Sequence, residues 1–257
     1  MRDAVDYPQT DLREPVALNR VKDALQARGL AGFTGVADRA EALQFAEQLV
    51  TITPHRDGDL DGVTTIAHRA DAAQQAGFAG FSDRELHPHT EGSALAQPPR
   101  VLILICLRPA YAGGYSVLVD GRELYDEIAR DEPAMLAALS TPRSAYVGSG
   151  YRHLGSVFEP APDGQITIRL RLDDLIRFSP VVMPYVDRLR HVVDRHTWIF
   201  RLAEGEGFAL LNDRWLHGRT QFTGDRAMLR ILGNPLPALA MSFGFAPTKT
   251  GLPVAAA

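Results

Sequence analysis

The chain has 257 residues, 46% of them hydrophobic and 23% charged, and a formal net charge of −4. A globular chain of this size buries a large core without covalent cross-links, and its slight acidity indicates no nucleic-acid or anionic-membrane partner. The single cysteine, Cys106, excludes an intramolecular disulfide and a multi-cysteine zinc site. Its place in the apolar run VLILICL predicts a buried, inert thiol.

No stretch approaches the roughly 18 consecutive apolar residues that a membrane span needs. The N-terminal sequence MRDAVDYPQTDLREPVAL also lacks the apolar centre of a signal peptide. We therefore expect a soluble, cytoplasmic protein.

Helical patterns come first along the chain. Residues 18–30 have apolar residues at helical spacing and end near Gly29, and residues 38–50 begin at Asp38, a typical N-cap. Residues 51–88 are rich in Gly, Asp and Ala without a clear period. This composition predicts a long loop or flap.

Short apolar or alternating runs bounded by Gly, Pro and Asp then predict strands. These runs are residues 101–107, 115–120, 166–172, 208–213 and 226–233. Helical segments interrupt them at 121–139 and 180–198. In the second segment His191 and His196 stand among Arg and Asp, so we expect both to face solvent. Strands so arranged favour an α+β chain built on a β-sandwich or barrel over a parallel βαβ fold.

Two further patterns suggest ligands but are incomplete. The segment DGDLDGVTTIAH (57–68) begins like an EF-hand calcium loop, but His68 stands where that loop needs a bidentate glutamate. A solvated acidic loop fits the segment, and so does an acidic flap that favours a cationic substrate. The glycines of GSGYRHLG (148–155) depart from the dinucleotide-binding spacing.

His89 and Glu91, in PHTEGS, are candidate ligands of one metal ion. In an extended chain residues two apart share a face, with Cα atoms about 6–7 Å apart. That separation allows an imidazole nitrogen and a carboxylate oxygen to converge on an ion. The pair also fits two surface polar residues, and His87 would share the face.

His217, in LLNDRWLHGRTQF, is the candidate for a third ligand. It follows an apolar strand and precedes Gly218, which is a common position for a functional loop residue. A structural histidine that caps the strand would explain the same position.

Arg226 and Arg230 are four residues apart in an alternating strand and should share one face, opposite Ala227, Leu229 and Ile231. Two inward arginines are costly unless each has an anionic partner. At about 13 Å apart they cannot share one carboxylate, but they could bind the carboxylates of two small molecules.

These features together resemble the non-haem iron, 2-oxoglutarate-dependent oxygenases, in particular the clavaminate synthase-like and TauD/TfdA group. The motifs HTEGS, GGYSVLVDG, NDRWLHGRTQF and GDRAMLR stand in that family's order, over roughly residues 60–235. The resemblance implies a double-stranded β-helix (a jelly roll, cupin-like) with flanking helices, in one oxygenase domain spanning 1–257. Its parts would be a helical N-terminal part (1–50), a loop or flap (51–88), the jelly-roll core (89–235) and a C-terminal tail (236–257).

The resemblance also implies roles for individual residues. His89, Glu91 and His217 would bind Fe(II) and be catalytic through it, with His87 left outside the ligand set. Two imidazoles and one carboxylate leave three positions of an octahedral iron open for 2-oxoglutarate and O₂.

The co-substrate and the substrate would bind around this iron. Arg226 would bind the carboxylate of 2-oxoglutarate, helped by Ser116 where the family has threonine. Arg230 would bind the substrate's carboxylate, with Asp213 as a further substrate-binding candidate.

The implied reaction is hydroxylation of an unactivated C–H bond in a small substrate, an amino acid or a derivative, free or carrier-bound. Related halogenases have Gly or Ala at the position of Glu91, so the glutamate favours hydroxylation. Desaturation or ring formation with the same cofactors stays open. The same three ligands also suit a zinc-dependent hydrolase, a cupin-like metal protein or a non-catalytic domain with a degenerate site.

Overall fold

The computed structural model describes residues 2–3, 9–71, 77–148 and 152–248. Residues 249–257 of the predicted C-terminal tail, 72–76 of the predicted flap and 149–151 of the glycine-containing segment lie outside this part of the chain.

The described helices are α1 Ala17–Arg28, α2 Arg39–Glu47, α3 Gly121–Asp131, α4 Pro133–Leu139 and α5 Val186–Arg195, with 3₁₀ turns at Ala79–Phe81, Met183–Tyr185 and Pro237–Leu239. The strands are β1 Arg2–Asp3, β2 Gln9–Asp11, β3 Leu30–Thr34, β4 Val50–Ile52, β5 Val63–Ala67, β6 Leu86–His89, β7 Val101–Arg108, β8 Ala112–Gly113, β9 Ser116–Asp120, β10 Ala145–Val147, β11 His153–Gly155, β12 Phe158–Pro160, β13 Ile166–Ile168, β14 Ile176–Phe178, β15 Trp198–Phe200, β16 Gly207–Leu211, β17 Trp215–Arg219, β18 Phe222–Thr223 and β19 Ala227–Pro235. None of the described helices is long and apolar enough to cross a membrane.

Two mainly antiparallel sheets form the centre of the molecule. The larger has the strand order β2-β3-β16-β7-β19-β4, with β5 also paired to β19, and the smaller has the order β1-β15-β9-β17-β6. Their inner faces share one apolar cluster, to which β7 and β19 contribute Leu102 and Met228 and the smaller sheet contributes Leu118 and Trp215. The sheets therefore pack face to face, as in a jelly roll.

Side-chain alternation in β19 assigns its two faces. Met228 and Leu232 pack between the sheets, whereas Leu229 and Ile231 pack in the cluster that α1 and α2 cover. Because side chains two apart share a face, Arg230 belongs to the strand face that carries Met228. Arg226 directly precedes β19 and lines one cavity with Met228, so it lies on the side predicted for both arginines.

The flanking helices cover the outer faces of both sheets. Helix α1 ends at Gly29 in the left-handed region (φ 65°), and the side chain of Asp38 caps α2 by accepting a hydrogen bond from the Glu41 amide. Helices α3 and α5 pack Leu124 and Leu189 into a second apolar cluster against the smaller sheet.

The largest departure from the sequence predictions lies in residues 51–88, which are not one long loop. They contain β5, together with most of β4 and of β6, and all three strands pair into the two sheets. The N-terminal 50 residues likewise include β3, which pairs with β16 in the larger sheet. These strands are short and interrupted by polar residues or glycine, so their alternation gave a weak signal.

Three other elements were predicted to be longer than they are in the structure. The helix expected over 121–139 breaks at Glu132, before Pro133, because proline cannot continue a preceding helical hydrogen-bond pattern. The helix expected over 180–198 starts only at Val186, and the strand expected over 166–172 ends at Ile168.

Candidate metal centre

Three candidate ligands come together at the edge of the smaller sheet. His217 lies inside β17, not after a strand as predicted, and it pairs with His89 at the end of β6. The two imidazole rings have centroids 4.4 Å apart, and His217 Nε2 is 3.9 Å from Glu91 Oε2. One ligand atom from each of the three residues lies within 4.8 Å of the other two. Among the described residues, this is the one group of three His, Cys, Asp or Glu side chains with metal-site spacing.

Burial gives these side chains the charge states of a metal site. His89 and His217 are only 8% and 7% exposed. Burial lowers the pKa of His217 to about 3 and also lowers the pKa of His89, so both imidazoles are neutral near pH 7. Burial alone would raise the pKa of Glu91, but the Arg230 guanidinium, 2.9 Å away, holds that pKa below its ordinary value. The carboxylate is therefore ionised.

A backbone carbonyl orients His89. Its Nδ1 lies 2.9 Å from the carbonyl oxygen of His87, which can only accept a hydrogen bond. The proton therefore sits on Nδ1, and the Nε2 lone pair is free for a metal. The side chain of His87 itself is exposed, so this residue contributes through its backbone alone.

Asn212 holds the backbone of Glu91. Its Oδ1 accepts a hydrogen bond from the Glu91 amide at 2.6 Å, and its Nδ2 donates to the carbonyls of Glu91 and Pro99 at 2.9 and 2.8 Å. Asn212 is only 3% exposed and follows directly after β16. A strand end of the larger sheet thereby fixes the loop that carries the carboxylate ligand.

Arg230 connects the same carboxylate to the segment after β4. Its Nη1 donates to Glu91 Oε2 at 2.9 Å, and its Nη2 donates to His55 Nδ1 at 3.1 Å. Its Nε is buried without a hydrogen-bond partner among the described residues. The Nε–H of this guanidinium is thus available to a further acceptor.

Arg226 lines a small cavity together with Cys106, Gly113, Gly114 and Met228. It is 7% exposed and forms no ion pair with a carboxylate of the described residues. Burial lowers the pKa of this guanidinium to about 10, which leaves it charged near pH 7. A buried cation beside a small cavity is suited to an anionic group.

Glycine and cysteine shape this cavity. A Cβ atom on Gly114 would lie 3.2 Å from Arg226 Cδ, and the residue has a φ of 68°. Burial raises the pKa of Cys106 to about 11, so its thiol is protonated. The prediction of a buried, inert Cys106 agrees with this environment.

The acidic loop after β4 does not offer free carboxylates to a substrate. Asp59 and Asp61 both accept hydrogen bonds from Arg39 Nη2, each at 2.7 Å. Arg39 begins α2, so these two carboxylates tie the loop to that helix. The suggestion that the loop attracts a cationic substrate loses its basis.

Comparison with known proteins identifies the family. A profile of the group described as taurine catabolism dioxygenase TauD, TfdA family matches residues 2–232. The chain belongs to the TauD, TfdA family.

The curated relatives of this chain are distant. Gamma-butyrobetaine dioxygenase of Homo sapiens is 25% identical over 175 residues, which are 61% of this chain and 45% of that protein. Mitochondrial trimethyllysine dioxygenase of Gallus gallus is 27% identical over 171 residues, 59% of this chain and 41% of that protein. Uridine-5'-phosphate dioxygenase of a Streptomyces species is 25% identical over 151 residues, 52% of this chain and 54% of that protein. The chain spans about half the length of the curated relatives it matches.

Solved structures confirm the predicted fold class. An asparagine oxygenase, solved with Fe(II), 2S,3S-3-hydroxyasparagine and succinate, superposes with a TM-score of 0.71 at 17% identity, covering 85% of this chain and 79% of that one. The non-haem iron oxygenase OrfP, solved with Fe and alpha-ketoglutaric acid, gives a TM-score of 0.67 at 15% identity, covering 89% and 94%. PvcB of Pseudomonas aeruginosa gives 0.68 at 14% identity, covering 90% and 89%.

The TauD, TfdA fold brings some of the predicted site residues together and separates one. His89, Glu91 and His217 converge, and Arg230 contacts Glu91. Asp213 does not join them: its described side-chain partner is Arg100 Nε, at 3.1 Å. Its role in substrate binding has no support from these contacts.

The two residues predicted for 2-oxoglutarate lie on the inner part of the fold. Arg226 lines the cavity that it shares with Cys106, and Ser116 begins β9, two residues after Gly114, with 2% exposure. Ser116 pairs in register with Arg219 of β17, the strand that carries His217.

Sequence reasoning missed three residues of this region. Asn212 stands next to the nominated Asp213, and a polar residue just after an apolar run was its only signal. His55 had no recognisable pattern because its contact with Arg230 spans 175 positions of the chain. Arg219 was part of a quoted motif but received no role.

The prediction that His196 faces solvent is wrong. It is 8% exposed, and its two ring nitrogens lie 2.9 and 2.6 Å from carboxylate oxygens of Glu123 and Glu127 on α3. His191, within α5, is exposed as predicted.

Proposed function

We propose that the protein is an Fe(II)- and 2-oxoglutarate-dependent oxygenase that hydroxylates an unactivated C–H bond of a free amino acid or a related carboxylate. The observation that carries this proposal is the pairing of two features. One is a buried set of two neutral imidazoles and one ionised carboxylate, and the other is a buried arginine cavity without an anionic partner among the described residues. Membership of the TauD, TfdA family supports the same reaction class.

The donor atoms fit Fe(II). Imidazole nitrogen and carboxylate oxygen are its usual ligands in non-haem oxygenases, and three protein ligands leave positions open for a chelating co-substrate and O₂. When bound, the metal supplies the redox chemistry that activates O₂. The protein's part is to keep His89 and His217 neutral, to keep Glu91 ionised and to hold all three in place.

Arg226 would bind the distal carboxylate of 2-oxoglutarate. A guanidinium presents two parallel donors that match a carboxylate, and burial strengthens the pairing because water does not compete. The hydroxyl of Ser116 would donate a further hydrogen bond. A zinc hydrolase could use the same three ligands but would leave this buried cation without a purpose.

Arg230 would bind the carboxylate of the substrate through its unpartnered Nε. The relatives support an amino-acid class: the asparagine oxygenase was solved with 3-hydroxyasparagine and OrfP with (3S)-hydroxy-L-Arg. A substrate attached to a carrier through its carboxyl group would lack the anion that Arg230 recognises. The proposal therefore specifies a free substrate carboxylate.

The test is spectroscopic and then catalytic. Anaerobic addition of Fe(II) and 2-oxoglutarate should give a visible metal-to-ligand charge-transfer band, absent in His217→Ala and retained in His68→Leu, a control histidine outside the ligand set. Amino acids are then screened for stimulated succinate release, with mass analysis of the product to separate hydroxylation from desaturation or ring closure. A protein without the band that is active with zinc would contradict the proposal.

A further inference from the structure

Strand β6, which ends at the proposed ligand His89, is joined to the sheet by few backbone hydrogen bonds. Strand β6 has four residues, stands at the edge of the smaller sheet and pairs with β17 alone among the described strands. Pro88 within it has no amide hydrogen to donate. The pairing joins His89 to His217 and Leu86 to Arg219, with an irregular register between these two pairs. Something besides the ladder must set the position of His89.

Gly218 permits the close approach of the two strands at this irregularity. A Cβ atom at residue 218 would lie 2.5 Å from the carbonyl oxygen of Leu86 and 3.1 Å from the nitrogen of Pro88. Contacts with backbone atoms cannot be relieved by rotating a side chain. Any other residue would push β6 away from β17, and with it His89 away from His217.

Arg219 holds the chain that enters β6. Its Nη2 donates to the carbonyl of Arg84, and its Nη1 lies 3.5 Å from the carbonyl oxygen of Gly80. The guanidinium also stacks over Phe222, 4.7 Å from the ring centroid, and the Phe222 amide donates to the Asp83 carbonyl at 2.9 Å. The segment just before β6 is thus fastened at two points to the end of β17 and the residues after it.

Burying the charge of Arg219 costs free energy, which indicates that its contacts with the segment before β6 are functionally important. The residue is 4% exposed, and its Nε is buried without a partner among the described residues. No carboxylate of the described residues forms an ion pair with it; Asp83 contributes a favourable charge, but burial and the charge of Arg226 oppose its ionised form. A buried guanidinium bonded mainly to backbone carbonyls is expensive to maintain.

We infer that Arg219, together with Gly218, is a positioning residue that sets the register of β6 on β17 and so holds His89 at ligand distance from His217. This inference rests on the proposed metal site. Ligand geometry is sensitive to the groups behind the ligands, and their loss typically weakens metal binding. Arg219 acts through the backbone of the segment that leads into β6, and none of its described hydrogen bonds is with the side chain of His89, Glu91 or His217.

A matched control exists beside the same strand. Arg214 is also buried (6% exposed) and directly precedes β17, where it forms two hydrogen bonds with Asp120, at 3.0 and 2.7 Å. Its described partners do not include β6. Loss of this ion pair should destabilise the fold without moving His89.

The experiment measures Co(II) binding to the full-length, metal-stripped protein by titration calorimetry and by the visible ligand-field spectrum, below the melting temperature of each variant. Arg219→Met should weaken Co(II) binding by about 10-fold or more and change the spectrum. Arg219→Lys should recover part of the affinity, because an ammonium group can still donate to the Arg84 carbonyl. Arg214→Met should melt earlier but bind Co(II) with wild-type affinity and spectrum.

Three results for Co(II) binding would contradict the positioning role or the metal site on which it rests. If Arg219→Met binds Co(II) as the wild type does while His217→Ala does not, the positioning role is wrong and the metal site stands. If Arg214→Met loses as much affinity as Arg219→Met, the effect is general destabilisation and the inference fails. If His217→Ala keeps full affinity, the proposed metal site fails first. Should Arg219→Met not fold, Gly218→Ala tests the same register, and wild-type Co(II) binding in that variant would overturn the inference.

Discussion

Replacement of Asn212 by leucine should test how the loop that carries Glu91 is held. Leucine has a similar volume but cannot form hydrogen bonds. The variant therefore removes the three contacts that Asn212 makes with the Glu91 amide, the Glu91 carbonyl and the Pro99 carbonyl.

The structure gives the expected size of the effect. At about 1 kcal/mol for each hydrogen bond, the loss of three lowers the free energy of unfolding by about 3 kcal/mol. For a domain of this size that corresponds to a fall in melting temperature of about 6–12 °C. Because Glu91 also loses its fixed orientation, Co(II) affinity should fall by about 10- to 100-fold.

The assay combines thermal unfolding by circular dichroism with Co(II) titration of the metal-stripped protein. Asn234→Leu is the matched control, since Asn234 is exposed and accepts one long hydrogen bond, at 3.3 Å, from the Arg100 amide. It should change neither quantity appreciably. Wild-type Co(II) affinity in Asn212→Leu, whatever its melting temperature, would refute the claim that Asn212 orients the carboxylate ligand.

Three further predictions concern other parts of the structure. Arg226→Met should weaken 2-oxoglutarate binding by about 30-fold or more, because loss of a buried charged partner costs about 2 kcal/mol or more; calorimetry should show unchanged Co(II) binding, and equal loss of both would contradict the assigned role. Asp213→Asn should lower the melting temperature through Arg100 but leave turnover unchanged, whereas a large rise in the substrate KM would restore Asp213 as a substrate contact. Hydrogen bonds to Glu123 and Glu127 raise the pKa of His196, so the stability it adds is complete below about pH 6.5 and is lost as pH rises through the higher folded-state pKa. Melting temperatures between about pH 6 and pH 9 should therefore fall more in the wild type than in His196→Gln, and parallel curves would disprove the linkage.

The candidate metal ligands could be nominated from the sequence because their spacing is local or because they lie next to a strong strand pattern. His89 and Glu91 are two residues apart, and the face of Arg230 follows from alternation in β19, which is long and apolar. The core strands β7, β9 and β16 were found for the same reason. Residues close together in the chain and a strong hydrophobic periodicity are the features that can be recognised in a sequence.

The supporting groups were not predictable because their contacts depend on the tertiary fold. His55 meets Arg230 only after β4 and β19 pair, and Asn212 meets Glu91 across 121 positions of the chain. Asp213 was nominated in place of its neighbour because a carboxylate near a site suggests chemistry, whereas the structure uses it to hold Arg100. The edge strand β6 was hidden in an expected loop, since four residues that include a proline give no usable period.

The pairing of His89 with His217 has a consequence for the physical state of the protein. An ion bound by both residues would cross-link the edge strand β6 to its neighbour β17, in addition to any role in catalysis. Because the ion binds only when the two strands are paired, its binding would stabilise the paired form against separation of β6 from β17. An exposed edge strand is a template for pairing with other chains, so chelating agents should increase aggregation as well as abolish turnover.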